Sequence, residues 1–382
     1  MKIALVTLNG SDDIQQWSGL NYHIARSLEQ AGATLHRIGP LDPFWTLGMR
    51  LRQRWHDSLG QSYHAVFDPA SLDAMGRQAR AQVPADTDVV VAVTTLVAAA
   101  MGRMSQPLVS WDDATPAAMA EYYPDFQNIA AISAGQADAM GRRAADATAL
   151  AIFASDWAAR SARAAYGIEE KRVGVVPFGA NISRIPGIES VRSAVANRPT
   201  DVCRLLWVGV EWERKGAPLA IEIAAALRAL GVSVDLALVG CDPPTGTIIP
   251  EWARVEGFVS KRTPDGAQKL EALFERAHFF LMPSHAEAYG LVYAEAAAAG
   301  VPSIAIRTGG VPTIILDGET GILEPPTATA AEFAQRILSL WRDRTRYEQM
   351  CFAAHARAEE TLNWGAAGSA VLRLIRERLG IS

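Results

Sequence analysis

The sequence predicts an α/β protein built from two parallel, doubly wound sheets. Three observations lead there. Short apolar runs alternate with amphipathic stretches along the chain. The apolar runs are nearly continuous rather than alternating, as befits strands covered on both faces. The rhythm breaks around residues 181–200 and then starts again, and 382 residues suffice for two such domains.

The first series, in residues 1–180, reads as strands at Lys2 to Leu8, Thr34 to Ile38, Asp88 to Val93, Pro107 to Trp111, Leu150 to Phe153 and Arg172 to Val176. A helix from Ser18 to Ala31 carries Leu20, Ile24 and Leu28 on one face and ends at Gly32. Another, Ser155 to Tyr166, is capped by Ser155. Ile185-Pro186-Gly187 and Arg198-Pro199-Thr200 are turn signals around a polar stretch, so 181–200 is expected to be the linker. The second series, 201–360, has strands at Cys203 to Val208, Val234 to Val239, Val255 to Val259, His278 to Met282 and Ser303 to Ile306. Helices fall between them, as at Pro218 to Leu230 and Asp265 to Arg276. A last helix, Ala366 to Leu379, lies in a C-terminal segment 361–382 with Val371, Leu372, Ile375 and Leu379 on one face.

Composition is ordinary for a globular protein, at 49% hydrophobic and 20% charged, and a net charge of −5 argues against a general nucleic-acid binder. Cys203, Cys241 and Cys351 lack metal-type spacing, so reduced thiols and a cytoplasmic location are expected. The opening MKIALVTLNG reads as a strand rather than a signal peptide. No apolar run approaches the ~20 residues of a membrane span; the nearest, Val89 to Met101, reads as a core strand and helix. Arg50 to His56, RLRQRWH, is basic with an aromatic. It reads first as a solvated helix face, and second as a peripheral contact with an anionic membrane. Five of the 36 basic residues are lysines, and two of those, Lys215 and Lys261, fall in loops singled out below.

The stretch that organises the chain is Pro283 to Gly300, PSHAEAYGLVYAEAAAAG. It follows the apolar run His278 to Met282 and opens a helix, Tyr289 to Ala299. A turn at the C-terminal end of a parallel strand, with free N–H groups at a helix start, is where open α/β sheets bind ligands, phosphates among them. Glu287 falls in the turn and Glu295 in the helix. Eight helical residues correspond to about 12 Å of rise and roughly 80° of rotation. That exceeds the roughly 5–9.5 Å at which two carboxylates act on one glycosidic bond. It suits two carboxylates holding two parts of one long ligand with a diphosphate between them. The plain alternative is a loop charge and a surface helix charge.

Glu-x7-Glu after a strand, with Tyr-Gly between the acids, resembles the donor-site motif of retaining glycosyltransferases, most nearly glycosyltransferase family 4, also called glycosyl transferases group 1. The resemblance continues through Gly300-Val301-Pro302, Thr308-Gly309-Gly310-Val311-Pro312 and Asp317-Gly318-Glu319-Thr320-Gly321, over most of the second half. Val208 to Gly216 resembles the family's loop of strand, Gly and Lys-Gly at a helix start. Val210 stands where the family commonly has Arg, and Arg214 is the replacement at hand. Gly257-Phe258-Val259-Ser260-Lys261-Arg262 resembles the loop that meets the base, although Phe258 itself reads more readily as core packing than as a base platform. Thr313 replaces a frequent Glu. In the first half, within Trp17-Ser18-Gly19-Leu20-Asn21-Tyr22-His23, only Gly19 matches the family's Gly-Gly pair, and His23 reads as a packed or surface His. Asp113, after a strand end, reads either as a sugar or acceptor contact or as the turn or N-cap of the next helix.

The resemblance implies the GT-B fold: two Rossmann-like domains whose parallel sheets face each other across a cleft, with the nucleotide sugar on the second, the acceptor on the first, and the final helix crossing back. It implies a hexosyltransferase working with retention, moving a sugar from a UDP- or GDP-linked donor to a hydroxyl of a carbohydrate, lipid-linked or small-molecule acceptor. In that scheme Glu287 holds sugar hydroxyls, Lys215 and Arg214 stabilise the leaving diphosphate, and Asp113 contacts sugar or acceptor. Donor contacts fall to Gly19, Gly209, Gly257, Phe258, Val259, Lys261, Ala288, Tyr289, Gly290, Leu291, Gly309 and Gly310, with Glu295 on the ribose. No metal, other cofactor or nucleic-acid partner is expected. A sugar-nucleotide 2-epimerase or a non-catalytic sugar-nucleotide binder on the same fold is the alternative. The lack of G-x-G-x-x-G after a strand argues against an NAD dehydrogenase.

Overall fold

The computed structural model describes residues 1–12, 19–120, 122–123 and 126–381. They form two compact units, Met1–Phe178 with Trp364–Ser382, and Gly179–Asn363. Each contains one six-stranded parallel sheet.

In the first unit the strands are β1 (Lys2–Val6), β2 (Thr34–Ile38), β3 (Val89–Val93), β4 (Leu108–Asp112), β5 (Leu150–Phe153) and β6 (Val173–Val175), in the spatial order β2-β1-β3-β4-β5-β6. The helices are α1 (Leu20–Gln30), α2 (Leu47–Ser58), α3 (Pro69–Arg80), α4 (Thr95–Met101), α5 (Pro116–Met119), α6 (Ala131–Ala147) and α7 (Asp156–Tyr166). β3, Val-Val-Val-Ala-Val, is wholly buried because helices cover both faces of a parallel sheet. Val89 to Met101 therefore becomes the strand and helix its apolar run suggested. Ser155 caps α7, its hydroxyl accepting from the Ala158 N–H at 3.2 Å. α1 begins at Leu20 after Gly19, which has φ 78°; Trp17 and Ser18, where the sequence suggested the helix start, lie outside the described residues.

In the second unit the strands are β7 (Cys203–Val208), β8 (Val234–Val239), β9 (Ala253–Gly257), β10 (Phe279–Leu281), β11 (Ser303–Ile306) and β12 (Gly321–Glu324), ordered β12-β11-β10-β7-β8-β9. The helices are α8 (Ile188–Ala196), α9 (Ala217–Ala229), α10 (Pro264–Arg276), α11 (Leu291–Ala298), α12 (Val311–Ile314), α13 (Ala330–Arg342) and α14 (Arg344–Glu360). The closing helix α15 (Trp364–Leu379) packs on α1 within the first unit, burying Val371, Leu372 and Ile375. Leu379, expected on the same face, is only partly buried. Ser27's carbonyl crosses so close to Gly368 that a Cβ there would overlap it.

Residues 181–200 are not an extended linker. They carry α8, which buries Val191 and Val195 and packs on α14. Arg198, in a sequence that resembled a turn, is 3% exposed. Its guanidinium donates to the carbonyls of Glu275 (3.2 Å) and Gly300 (3.1 Å) and to the Tyr347 hydroxyl (2.7 Å), tying α8 to the unit's core. A buried cation persists only with its donors satisfied in this way. β9 is displaced two residues from the apolar run at Val255 to Val259, leaving Phe258 beyond the strand and 72% exposed. The core-packing reading of Phe258 is thus wrong.

Candidate active site

β10, Phe-Phe-Leu, is buried throughout, and the chain leaves its C-terminal end into the loop Met282–Gly290 before entering α11. Gly290 makes the turn into the helix at φ 96°, a conformation that L side chains rarely adopt. Beneath it the Tyr293 hydroxyl donates to the Met282 carbonyl at 2.6 Å and braces the loop. Of the eight steps from Glu287 to Glu295, only those from Leu291 are helical, so the helical-rise arithmetic applies to half of the span.

Two further loops lock onto this one. The segment between β7 and α9 passes Glu211, Arg214 and Lys215. The His285 N–H donates to the Arg214 carbonyl at 2.9 Å, and Arg214 Nη1 donates to the Ala286 carbonyl at 2.7 Å. Gly216 turns into α9 at φ 73° directly against the Pro283 carbonyl, where no Cβ fits. Gly209 packs under the Lys215 side chain, and a Cβ there would sit 2.9 Å from it. From the loop between β11 and α12, Gly310 donates its N–H to the Glu287 carbonyl at 3.1 Å. Gly309, beside it, has φ 49°.

These contacts bring Glu287, Lys215 and Arg214 together. Lys215 Nζ donates to Glu287 Oε2, and Arg214 Nη1 lies 3.8 Å from the same oxygen. The three side chains are 8%, 13% and 10% exposed, respectively, so the charges interact with little screening. Arg214 also clamps Glu211 through Nε (2.8 Å) and Nη2, and this holds the Glu211 carboxyl below the usual carboxylate range.

At the far end of the motif, Glu295 lies inside α11 with a side chain only 2% exposed. The surface-charge alternative fails for it, and Glu287 is buried too. Lys261, from the loop after β9, donates to Glu295 Oε1. Glu295 Oε2 is buried without a hydrogen-bond partner among the described residues. Gly257 turns at φ 66°, and Phe258 and Lys261 are exposed beyond it, with Val259 half-buried. Ala288 and Tyr289 are buried, and Leu291 is partly exposed at the start of α11. Asp317-Gly318-Glu319-Thr320-Gly321 proves to be a structural turn into β12. Asp317 Oδ1 accepts from the Leu323 N–H (3.0 Å) and from Arg336 (2.9 Å), and the Thr320 hydroxyl accepts from the Leu316 N–H (2.8 Å).

In the first unit, Gly19 is buried at the start of α1, and Asn21 Nδ2 donates to the Gly10 carbonyl at 3.0 Å across the loop after β1. His23 is packed, stacked on Trp364 at 5.5 Å and 10°. At the end of β4, Asp112 is the buried acid and Asp113 is partly exposed. Asp112 accepts from the Thr95 N–H (2.5 Å) and the Asp113 N–H (2.8 Å), while burial raises its pKa. Thr94, which caps α4 beside it, has φ 88°, an uncommon backbone for a β-branched residue and of the kind that clusters at functional sites. Thr115, not Asp113, caps α5. Sequence reasoning passed over Asp112 and Thr94; only the adjacency of two acids at a strand end signalled the former.

No group of three or more His, Cys, Asp or Glu side chains placed to hold a metal ion occurs among the described residues. A hollow of about 470 Å³ lies elsewhere in the second unit, between β7–β9 and α10. Four of its six charged lining residues, Asp235, Arg254, Glu256 and Lys269, pair with one another.

Known proteins resemble the chain in part of its sequence and in its fold. Residues 203–343, the stretch holding Lys215, Lys261, Glu287 and Glu295, match the family model Glycosyl transferases group 1. The D-inositol 3-phosphate glycosyltransferase of Acidothermus cellulolyticus is 31% identical over 212 residues, 51% of this chain and 47% of the relative. The protein of that name from Nocardia farcinica is 30% identical over 203 residues, 50% of this chain and 45% of the relative. The chain thus spans about half the length of the curated relatives it matches. Among solved structures, sucrose-phosphate synthase from Thermosynechococcus elongatus aligns over 100% of both chains with a TM-score of 0.67 and 17% identity. Anabaena HepE in complex with UDP and glucose aligns over 99% of this chain and 100% of its own, with a TM-score of 0.62 and 18% identity. The fold is GT-B.

Proposed function

We propose, taking the group 1 glycosyltransferase match of residues 203–343 as premise, that this chain is a retaining glycosyltransferase. It moves a sugar from a nucleoside-diphosphate donor to a hydroxyl of an acceptor. The observation that carries the reading is the pair of buried carboxylates at the C-terminal edge of one parallel sheet, each joined to a lysine from a neighbouring loop. Burying two carboxylates is costly unless their oxygens are satisfied. Glu295 Oε2 lacks a partner among the described residues, and the hydroxyls of a ribose are donors that suit it. Glu287 would meet the sugar hydroxyls, and the N–H groups of Ala288 to Leu291 the sugar and diphosphate. Negative charge on the leaving diphosphate would grow beside Lys215 and Arg214. Fixed cations in that position would leave transfer insensitive to a metal chelator. Asp113 would contact the sugar or the acceptor and Gly19 the donor, and the acceptor oxygen attacks on the face the diphosphate leaves, with the departing phosphate taking up the hydroxyl proton.

HepE was solved with UDP and glucose, which makes a UDP-sugar the first donor to try. The test is nucleoside-diphosphate release from a panel of UDP- and GDP-sugars, with and without sugar, cyclitol-phosphate and lipid-linked acceptors, in the presence of chelator. Acceptor-dependent release with retained anomeric configuration is the expected result. Conversion of the donor to its 2-epimer, or binding without turnover of any donor, would overturn the reading.

A further inference from the structure

The helix α2 is turned the wrong way round for a soluble protein. Six of the eleven large apolar side chains exposed among the described residues fall within residues 44–59: Phe44 (51%), Trp45 (40%), Leu47 (75%), Leu51 (56%), Trp55 (64%) and Leu59 (54%). Leu47, Leu51 and Trp55 recur at four-residue intervals, which on an α-helix drifts about 40° per step and lays them in one stripe that Leu59 continues. The helix is attached by its other side. Met49, 3% exposed, joins Tyr63 and Ala65 in a small buried cluster, and His56 stacks on Tyr63 at 5.7 Å. The apolar stripe therefore faces outward from its own unit. Arg50 and Arg54, also four apart, run along one flank of it, and Arg52 along the other; all three are exposed. Asp57 is the single acid of the helix.

We propose that this face is a docking surface for an anionic lipid membrane. An exposed apolar stripe flanked by cations, with tryptophans near its two ends, is the pattern of a helix lying flat in the headgroup region. The rings of Trp45 and Trp55 suit the boundary between acyl chains and water, and the arginines suit lipid phosphates. A second copy of the chain fits less well. A two-fold contact of α2 on α2 would bring Arg50 and Arg54 of both copies together with no acid but Asp57 to separate them. The whole chain carries a net charge of −5, so attraction to an anionic surface has to come from a local patch of this kind. The inference rests on the first unit and stands independently of the donor-site reading.

The test is flotation of the full chain with vesicles of one part phosphatidylglycerol to two parts phosphatidylcholine, and with phosphatidylcholine alone, at low and high salt. The wild type is compared with Leu51→Glu/Trp55→Glu and Arg50→Glu/Arg54→Glu. Both pairs are exposed, so thermal melts should match the wild type. Relative to the wild type on anionic vesicles at low salt, binding is expected to be about tenfold or more weaker for each variant, for phosphatidylcholine vesicles, and at high salt. Failure to float with anionic vesicles, equal binding to neutral ones, or variants that bind as the wild type does would each overturn the proposal. So would a wild-type dimer that Leu51→Glu/Trp55→Glu dissociates with no change in vesicle binding.

Discussion

Lys215 Nζ sits on Oε2 of Glu287, a residue seventy-two positions further along the chain, and both side chains are nearly excluded from water. The pair joins the loop after β7 to the loop after β10, so it is an element of structure as much as a candidate element of chemistry. Its two roles are separable by experiment.

Removing the lysine alone, as in Lys215→Ala, leaves a buried carboxylate with the Arg214 guanidinium 3.8 Å away. A stability loss of about 3 kcal/mol is expected, at the low end for breaking a buried pair because Arg214 stays. Replacing both partners, as in Lys215→Met/Glu287→Gln, should recover most of that loss. If Lys215 also meets the leaving group, both variants lose about 10²–10³ in kcat with a smaller change in KM. Chemical denaturation and steady-state kinetics on the two variants check this. Turnover restored along with stability in the double variant would reduce the pair to a structural strut.

His278 makes a pH-dependent contribution to stability. Its ring is fully buried, accepting from the Arg204 N–H at Nδ1 (3.0 Å) and donating from Nε2 to the Pro199 carbonyl (2.8 Å). Burial, reinforced by the charge on Arg198, pushes its pKa down from 6.5 to about 3. Below pH 6.5 the unfolded chain takes up a proton that the folded chain refuses, so stability falls as the pH is lowered. The slope from this one group approaches about 1.4 kcal/mol per pH unit between those two values. The measurement is urea unfolding from pH 7.5 to 4.5 for the wild type and His278→Gln, whose amide can make the same two hydrogen bonds. The variant's curve should be flatter on the acid side; parallel curves would remove His278 as the cause.

How far the molecule could be read from sequence varied with the physics of each segment. β7, β8 and β11 were legible to the residue, because a strand buried on both faces is an apolar run with sharp polar ends. β9 was misplaced because it is an edge strand carrying Arg254 and Glu256, and the apolar Val255–Val259 competed with it. β12 went unread because it is four residues long and starts at Gly321, the last residue of the Asp317–Gly321 turn, whose glycines dominate the local signal. Arg198-Pro199 has the composition of a turn, and only the fold supplies the carbonyls that make Arg198 a core residue. In α2 the sequence showed a basic stretch with an aromatic, and composition alone does not say that Leu47, Leu51 and Trp55 face outward.

The site was legible in the same uneven way. Glu287 and Glu295 stood out by spacing, and the two lysines by rarity. That one lysine goes to each acid depends on three loops converging from β7, β9 and β10. Asp112 was hidden beside Asp113, since which of two adjacent acids is buried is decided by the pleat at the end of β4 and by the N–H of Thr95.

The central claim, that Glu295 is the ribose ligand of a nucleoside-diphosphate site, is tested most directly by titration calorimetry. The ligands are UDP, GDP and their 2′,3′-dideoxy forms, each with the wild type and with Glu295→Ala. For the wild type the account predicts that removing the two hydroxyls weakens binding about tenfold or more, since a buried carboxylate oxygen is left without its donor. For Glu295→Ala it predicts weaker binding of the intact nucleotide and little further loss on removing the hydroxyls, the signature of two groups in contact. An equal loss from the dideoxy nucleotide in both proteins, or an unchanged Kd for the intact nucleotide with Glu295→Ala, would contradict it.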